Sequence, residues 1–237
     1  MLTIKPTNIS MDNTNQPLRN ILIVDDHPIN VESYQTLLSD IESNKNAEFL
    51  LAFDCKQAYN IIINHHHQGS FIDFAFIDIS LPPYEEKKLF SGSDIAITLK
   101  KLFPNCKITI ISMHKEPIWV NQIQKSVLPE GFIAKSDINY KIFPEIFRCI
   151  EKNEIFISPS IRNAQRIMAQ NNLNWDEHDS RILQLLSEGI RTVDMPRYIP
   201  LSLSSIEKRK ANLKKQLLLN TASDRELIDV SRELGFI

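Results

Sequence analysis

Four short apolar runs in the first 135 residues each close on a polar residue. Ile21-Leu22-Ile23-Val24 leads into Asp25-Asp26, and Phe74-Ala75-Phe76-Ile77 into Asp78. Ile108-Thr109-Ile110-Ile111 leads into Ser112, and Phe132-Ile133-Ala134 into Lys135. Unbroken β-branched and aromatic runs of this length read as strands buried on both faces, the signature of a parallel sheet. In an open α/β sheet, ligands sit beyond the carboxyl ends of the strands. Three carboxylates, a hydroxyl and an ammonium are therefore predicted to converge on one crevice, a set able to hold a divalent cation and a phosphoryl group.

Strand-like and helix-like segments alternate from about Arg19 to Lys152. Five β-α units predict a doubly wound parallel sheet. Residues 1–17 have no apolar core and read as a disordered lead-in rather than a signal peptide. The α/β unit is placed at 18–153. Residues 154–173 are polar and Asn-rich and read as a linker, and 174–237 as a second, all-helical unit. In that unit Asn174 with Glu177, and Ser223 with Glu226, have capping-box spacing, and Ser202 can cap a helix carrying Leu203, Ile206, Leu213 and Leu217. Thr192 opens a short helix containing Pro196, and Gly235 closes the last one. A tight turn between the second and third helices fits a helix-turn-helix module.

Composition narrows the class. Of 237 residues, 43% are hydrophobic and 24% charged, as in ordinary globular proteins. The net charge of −2 excludes a chain that is polybasic throughout. Cys55, Cys106 and Cys149 lack metal-binding spacing and read as reduced thiols of a cytoplasmic protein. No apolar run approaches the ~18 residues of a membrane span. His65-His66-His67 read as a solvated loop, because adjacent residues on a turn rarely aim at one ion.

The strand ends supply the chemistry. Asp25, Asp26 and Asp78 crowd like charges, and magnesium suits them because it takes oxygen ligands and keeps waters. Asp78 is the candidate nucleophile toward a phosphoryl donor. Lys135 offers a compact point charge to phosphoryl oxygens, and Ser112 a hydrogen bond. Phosphoryl transfer needs mainly alignment and charge neutralisation, so metal plus lysine suffices.

With these residues in this order, Arg19 to Lys152 resembles the receiver domain of two-component response regulators, of flavodoxin-like (βα)5 fold. The resemblance rests on Asp25-Asp26, Asp78 followed by Leu81-Pro82, Ser112, and Gly131 through Lys135. It implies phosphorylation of Asp78 by a sensor histidine kinase. It implies Mg2+ on Asp26, Asp78 and the backbone carbonyl of Ser80, with Asp25 acting through water, and a switch aromatic at Phe132. Two departures stand out. The usual glycine shortly after the proline appears only at Gly92, which leaves a long loop over 83–92. Ser136 follows Lys135 where many receivers have a proline with a cis bond.

The segment Glu207 to Lys215 holds Lys208, Arg209, Lys210, Lys214 and Lys215 against one acid. A basic third helix after a tight turn is the element expected in a major groove. Through Leu185 to Gly189, Ile199 to Ser202, and Ser205-Ile206, this unit resembles the DNA-binding domain of NarL/LuxR/FixJ regulators. The resemblance implies contacts to double-stranded DNA from Ser204, Glu207, Lys208 and Ala211, with Arg209 and Lys215 as phosphate partners, and a homodimer in the phosphorylated state. Lys210 stands where a buried valine is usual, and Glu207 and Ala211 replace basic contacts. The expected protein is a response-regulator transcription factor that transfers phosphoryl to itself and turns nothing over. The alternative is a phosphorylation-gated interaction regulator whose helical module no longer binds DNA. A dehalogenase-like phosphatase would need a second Asp at position 80, where Ser80 stands.

Overall fold

The computed structural model describes residues 19–170, 175–217, 219, 222–234 and 236–237. Six parallel strands form one sheet: β1 (Asn20–Val24), β2 (Glu48–Ala52), β3 (Phe74–Asp78), β4 (Lys107–Ser112), β5 (Gly131–Ala134) and β6 (Phe156–Ile157), in the order β2-β1-β3-β4-β5-β6. Helices α1 (Pro28–Ser39), α2 (Cys55–His67), α3 (Gly92–Leu102), α4 (Pro117–Val127) and α5 (Ile142–Glu151) cover its two faces. Alternate side chains of β1 divide between them. Leu22 and Val24 pack with Ala75, Ile77, Ile110 and Phe132 under Ala58, Ile95, Leu99 and Val120. Ile21 and Ile23 pack with Phe74, Phe76 and Ile133 under Val31, Leu38, Phe143 and Phe147. Each fully buried aliphatic or aromatic side chain contributes about 1.5–3 kcal/mol relative to exposure.

Local signals set the helix starts. Pro28 opens α1, where a missing N–H costs nothing. The Asp54 carboxylate accepts the Gln57 N–H at 2.7 Å to begin α2. Ser91 and Asp94 form a capping box on α3. The α/β fold expected from the strand runs is the fold found, with an additional sixth strand.

Two expectations need correction. Residues 154–173 are not a plain linker: they contain β6, hydrogen-bonded beside β5, and the helix α6 (Pro159–Gln170). The polar composition concealed a stripe of Ile161, Ala164 and Met168 at helical spacing, all buried. His65, His66 and His67 form the last turn of α2 rather than a loop. The 83–92 insertion is folded: Tyr84 and Leu89 exchange backbone hydrogen bonds of 2.7 and 3.2 Å, and Leu89 is buried. After Lys135 the chain enters a 3-10 turn, Lys135–Asp137, and no peptide among the described residues is cis.

The second unit comprises α7 (Glu177–Ser187), a 3-10 run over Thr192–Arg197, α8 (Leu203–Gln216) and α9 (Asp224–Glu233). Its core gathers Trp175, Ile182, Leu183, Leu185, Met195, Ile206, Leu213 and Leu227. The second expected helix is thus a 3-10 run, with Pro196 inside it. Of the apolar residues expected on this helix, Leu203 is exposed in the first turn of α8, whereas Ile206 and Leu213 are buried. The cap of α7 is the Asp176–Asp179 box. The candidate caps at Asn174 and Gly235, and the lead-in 1–17, lie outside the described residues. Ile118 of α4 is fully buried in the core of this second unit, and α4 packs on both α6 and α7. No helix among the described residues is long and apolar enough to cross a membrane.

Candidate functional site

Strand register brings the crevice together. The sheet order reverses direction at β1 and β3, the position where open α/β sheets form their ligand crevice. Val24 pairs with Ile77, so Asp25 and Asp78 emerge side by side. Asp78 pairs with Ile111, one residue short of Ser112. Ser112 pairs with Ala134, one residue short of Lys135. All four polar groups therefore leave the same edge.

Lys135 bridges the two buried carboxylates. Its Nζ donates to Asp78 Oδ2 at 2.7 Å and lies 2.8 Å from Asp25 Oδ2. Burial alone would lower the lysine pKa, but the hydrogen bonds to Asp25 and Asp78 outweigh it and hold the ammonium above its ordinary value. Burial raises the Asp78 pKa, and the Lys135 ammonium only partly offsets that. The Ser80 N–H donates to Asp78 Oδ1 at 3.3 Å. Asp25 is the more fully held: the His27 N–H donates at 3.0 Å, and Asn30 Nδ2 reaches both carboxylate oxygens at 3.0 and 3.1 Å.

Asp26 stands at the rim, its side chain partly exposed, with His27 Nδ1 at 2.6 Å. Asp25, Asp26 and His27 each offer a ligand atom within 4.8 Å of one another. The donor set of the whole crevice is dominated by carboxylate oxygen. No hydrogen bond reaches the Ser80 carbonyl among the described residues. A hard, oxygen-seeking divalent ion such as Mg2+ fits this set; a thiolate-seeking one does not.

Ser112 is fully buried, and its Oγ accepts the His114 N–H at 2.9 Å, which leaves its own proton free to donate. Phe132 is also fully buried, packed inward from β5.

Sequence reasoning missed three neighbours. Asn30, one turn into α1, anchors Asp25; its place five residues on from the first aspartate was the available signal. Tyr34, buried and stacked on Phe143 at 4.8 Å, feels this site: burial, then the charges of Asp25 and Asp78, push its phenol well up. Asp137, two residues past Lys135, accepts the Ser160 N–H at 2.9 Å and the Ser160 hydroxyl at 2.8 Å. Burial opposes ionisation of Asp137, yet hydrogen bonds from Ser158 and Ser160 keep its carboxyl below the ordinary range. The Ser158 hydroxyl accepts the Ala134 N–H at 3.1 Å. The start of α6 is thereby stitched to the end of β5. Nothing local in the sequence announces these contacts.

The second candidate surface is α8. Ser204, Glu207, Lys208, Ala211 and Lys215 are exposed along it. Arg209, expected at a phosphate, is instead turned inward: its NH1 donates to Asp176 and Asp179 at 2.9 Å each. Lys210 bonds Asp224 and the Thr192 hydroxyl, and Lys214 reaches Asp224 at 2.9 Å. Burial would raise the Asp224 pKa, but the bonds from Lys210 and Lys214 lower it. A lysine in place of a buried valine has thus found an acid on α9. Between 175 and 237 acidic and basic residues are equal in number.

By sequence alone, neither a protein family nor a curated protein matches the chain. By structure it does resemble solved proteins. A two-component response regulator RcsB–DNA complex is similar over 90% of this chain and 96% of that one, with 21% identity and a TM-score of 0.56. RcsB from Salmonella enterica serovar Typhimurium, bound to a promoter in the presence of phosphomimetic BeF3-, is similar over 89% and 96%, with 21% identity and a TM-score of 0.58. The isolated REC domain of that protein is similar over 62% and 98%, with 21% identity and a TM-score of 0.50. The chain has the fold of these regulators: a flavodoxin-like parallel α/β unit followed by a helix-turn-helix unit.

Proposed function

We propose that this chain is a response regulator: Asp78 accepts a phosphoryl group from a histidine kinase, and the modification controls DNA binding by the helical unit. The observation that carries the reading is the buried Asp78 carboxylate at a strand end, bonded to Lys135, in the crevice that also receives Asp25 and Asp26.

The Asp78 carboxylate attacks phosphorus. A carboxyl–phosphate bond forms while the P–N bond of a phosphohistidine breaks, and the imidazole leaves with a proton. Asp26, Asp78 and the Ser80 carbonyl would hold Mg2+, which when bound supplies charge neutralisation. Asp25, fixed by Asn30 and Lys135, would act on the ion through water rather than as a direct ligand. Lys135 keeps its bond to Asp25 and exchanges Asp78 for a phosphoryl oxygen. The Ser112 proton, free in the resting site, donates to a second oxygen. The added charge of about −1.5 to −2 then favours a state in which β4, β5 and the inward Phe132 settle around the phosphoryl group.

The product is an acyl phosphate on the chain itself rather than repeated turnover, because Ser80 stands where a dehalogenase-like phosphatase needs its general acid. Phosphorylated chains pair and bind a two-fold DNA site in the cytoplasm. Labelling with acetyl phosphate and Mg2+ tests the assignment: wild type takes up one phosphoryl group and Asp78→Ala none. Equal labelling of both would overturn it.

A second reading has one observation in its favour. Three of the five cations in α8 are held by the unit's own acids, which weakens any field toward DNA. If the phosphorylated protein shows no salt-sensitive binding to duplex DNA, the helical unit is a protein-interaction module.

A further inference from the structure

Helix α8 carries an unpaired carboxylate where a DNA backbone would repel one. Glu207 lies in its second turn, exposed, on the same face as Ser204, Lys208, Ala211 and Lys215. It makes no hydrogen bond or ion pair among the described residues. A helix normally neutralises such a group with a cation three or four residues on. Here the fourth residue is Ala211, and the third, Lys210, is committed to Asp224 and Thr192. Arg209 is likewise committed to Asp176 and Asp179. The exposed face is left with one acid, two lysines, a serine and an alanine.

The early turns of a recognition helix meet base edges. A carboxylate offers only acceptors, so it needs a donor in the major groove. Guanine shows two acceptors there and thymine an acceptor with a methyl group. Adenine shows a donor beside the N7 acceptor, which repels a carboxylate. Cytosine shows its N4 amino group alone. Against guanine or thymine the charge is desolvated without a donor, and against adenine it meets the N7 acceptor, so one residue both attracts the right pair and rejects the wrong ones.

We infer that Glu207 is the specificity-determining residue of α8 and that it selects cytosine in the major groove of duplex DNA. Lys208 and Lys215 supply phosphate attraction, and the small Ala211 lets the helix approach closely. The inference rests on the DNA-binding reading proposed above.

The test uses the full-length protein treated with acetyl phosphate and Mg2+. Duplexes are selected from a random pool, sequenced, and titrated by fluorescence anisotropy. Wild type enriches a C·G pair at one position of each half-site, and changing that pair weakens binding about tenfold. For Glu207→Ala the same change alters binding less than about twofold, while affinity for the pool remains. Glu207→Gln moves the preference to A·T, because a glutamine amide pairs with N6 and N7 of adenine. An unchanged preference in both variants overturns the role of Glu207 and leaves DNA binding standing. Absence of any salt-sensitive retention by wild type overturns DNA binding, and the inference with it.

Discussion

Gly92 is pressed against the peptide carbonyl of Asp78: a Cβ at position 92 would fall 1.8 Å from that oxygen and 2.8 Å from its carbon. The Gly92 N–H also donates to the Ile79 carbonyl at 2.9 Å. The first turn of α3 therefore leans directly on the backbone of the proposed phosphoacceptor. The long loop before it is an excursion that returns, through the Tyr84–Leu89 pairing, to this close approach. Space, not a left-handed backbone, demands glycine here.

Gly92→Ala should therefore push β3 and α3 apart. Overpacking of this kind costs about 1–3 kcal/mol, and more where the obstacle is backbone. Chemical denaturation should show that loss, and labelling of Asp78 by acetyl phosphate should slow with it. Wild-type stability in the variant would mean that α3 shifts freely.

Removing the Lys135 ammonium leaves Asp25 and Asp78 facing each other without a cation. Breaking a buried ion pair from one side costs on the order of 3–5 kcal/mol. Lys135→Met should show a loss of that size near neutral pH, measured by urea titration. Most of it should return in acid, where protonation relieves the repulsion. A loss that is the same at both pH values would assign the effect to packing of the lysine stem.

Asp78 has a folded pKa raised above its ordinary value of 3.8, so the folded chain holds this proton more tightly than the unfolded chain. The stability it contributes is complete below 3.8 and is lost as pH rises through the raised folded value. Asp78→Asn removes that loss. The thermal midpoint of the variant, relative to wild type, should climb across this window and level off above it. A difference that stays flat between about pH 4 and pH 7 would contradict the raised value.

Asp224 holds Lys210 and Lys214 on the flank of α8. Asp224→Ala should release both ammonium groups toward solvent. Affinity for duplex DNA should rise, and the plot of log affinity against log salt should steepen by about one to two units. The pair is partly exposed, so the cost in stability should be small. No change in slope would place both lysines out of reach of a phosphate backbone.

The crevice was legible because each of its groups sits at the end of a buried strand or one step past it, and strands buried on both faces leave unbroken apolar runs. Asp25, Asp78 and Lys135 follow Val24, Ile77 and Ala134 in this way. The Ser223–Glu226 box and the Ser202 cap were legible for a similar reason: they are local and involve neighbours in sequence. Helix α6 was not, because three buried residues within a polar segment are a weak signal. The partners of Arg209 were not, because Asp176 and Asp179 lie some thirty residues earlier and only folding brings them close. Gly92 was visible as a departure in spacing, but its contact with Asp78 depends on the path of the loop.

Helix α6 belongs to two interiors at once. Ile161 and Ala164 are sealed into the core of the sheet, and Met168 into the core around Trp175. Its twelve residues make a rod about 18 Å long, with little freedom to bend. Ser158, bonded to Ala134 of β5, and Met168, in the second core, therefore stand at the two ends of one stiff element rather than of a flexible tether. The same continuity couples the unfolding of the two cores, so a cut within 159–170 would injure both.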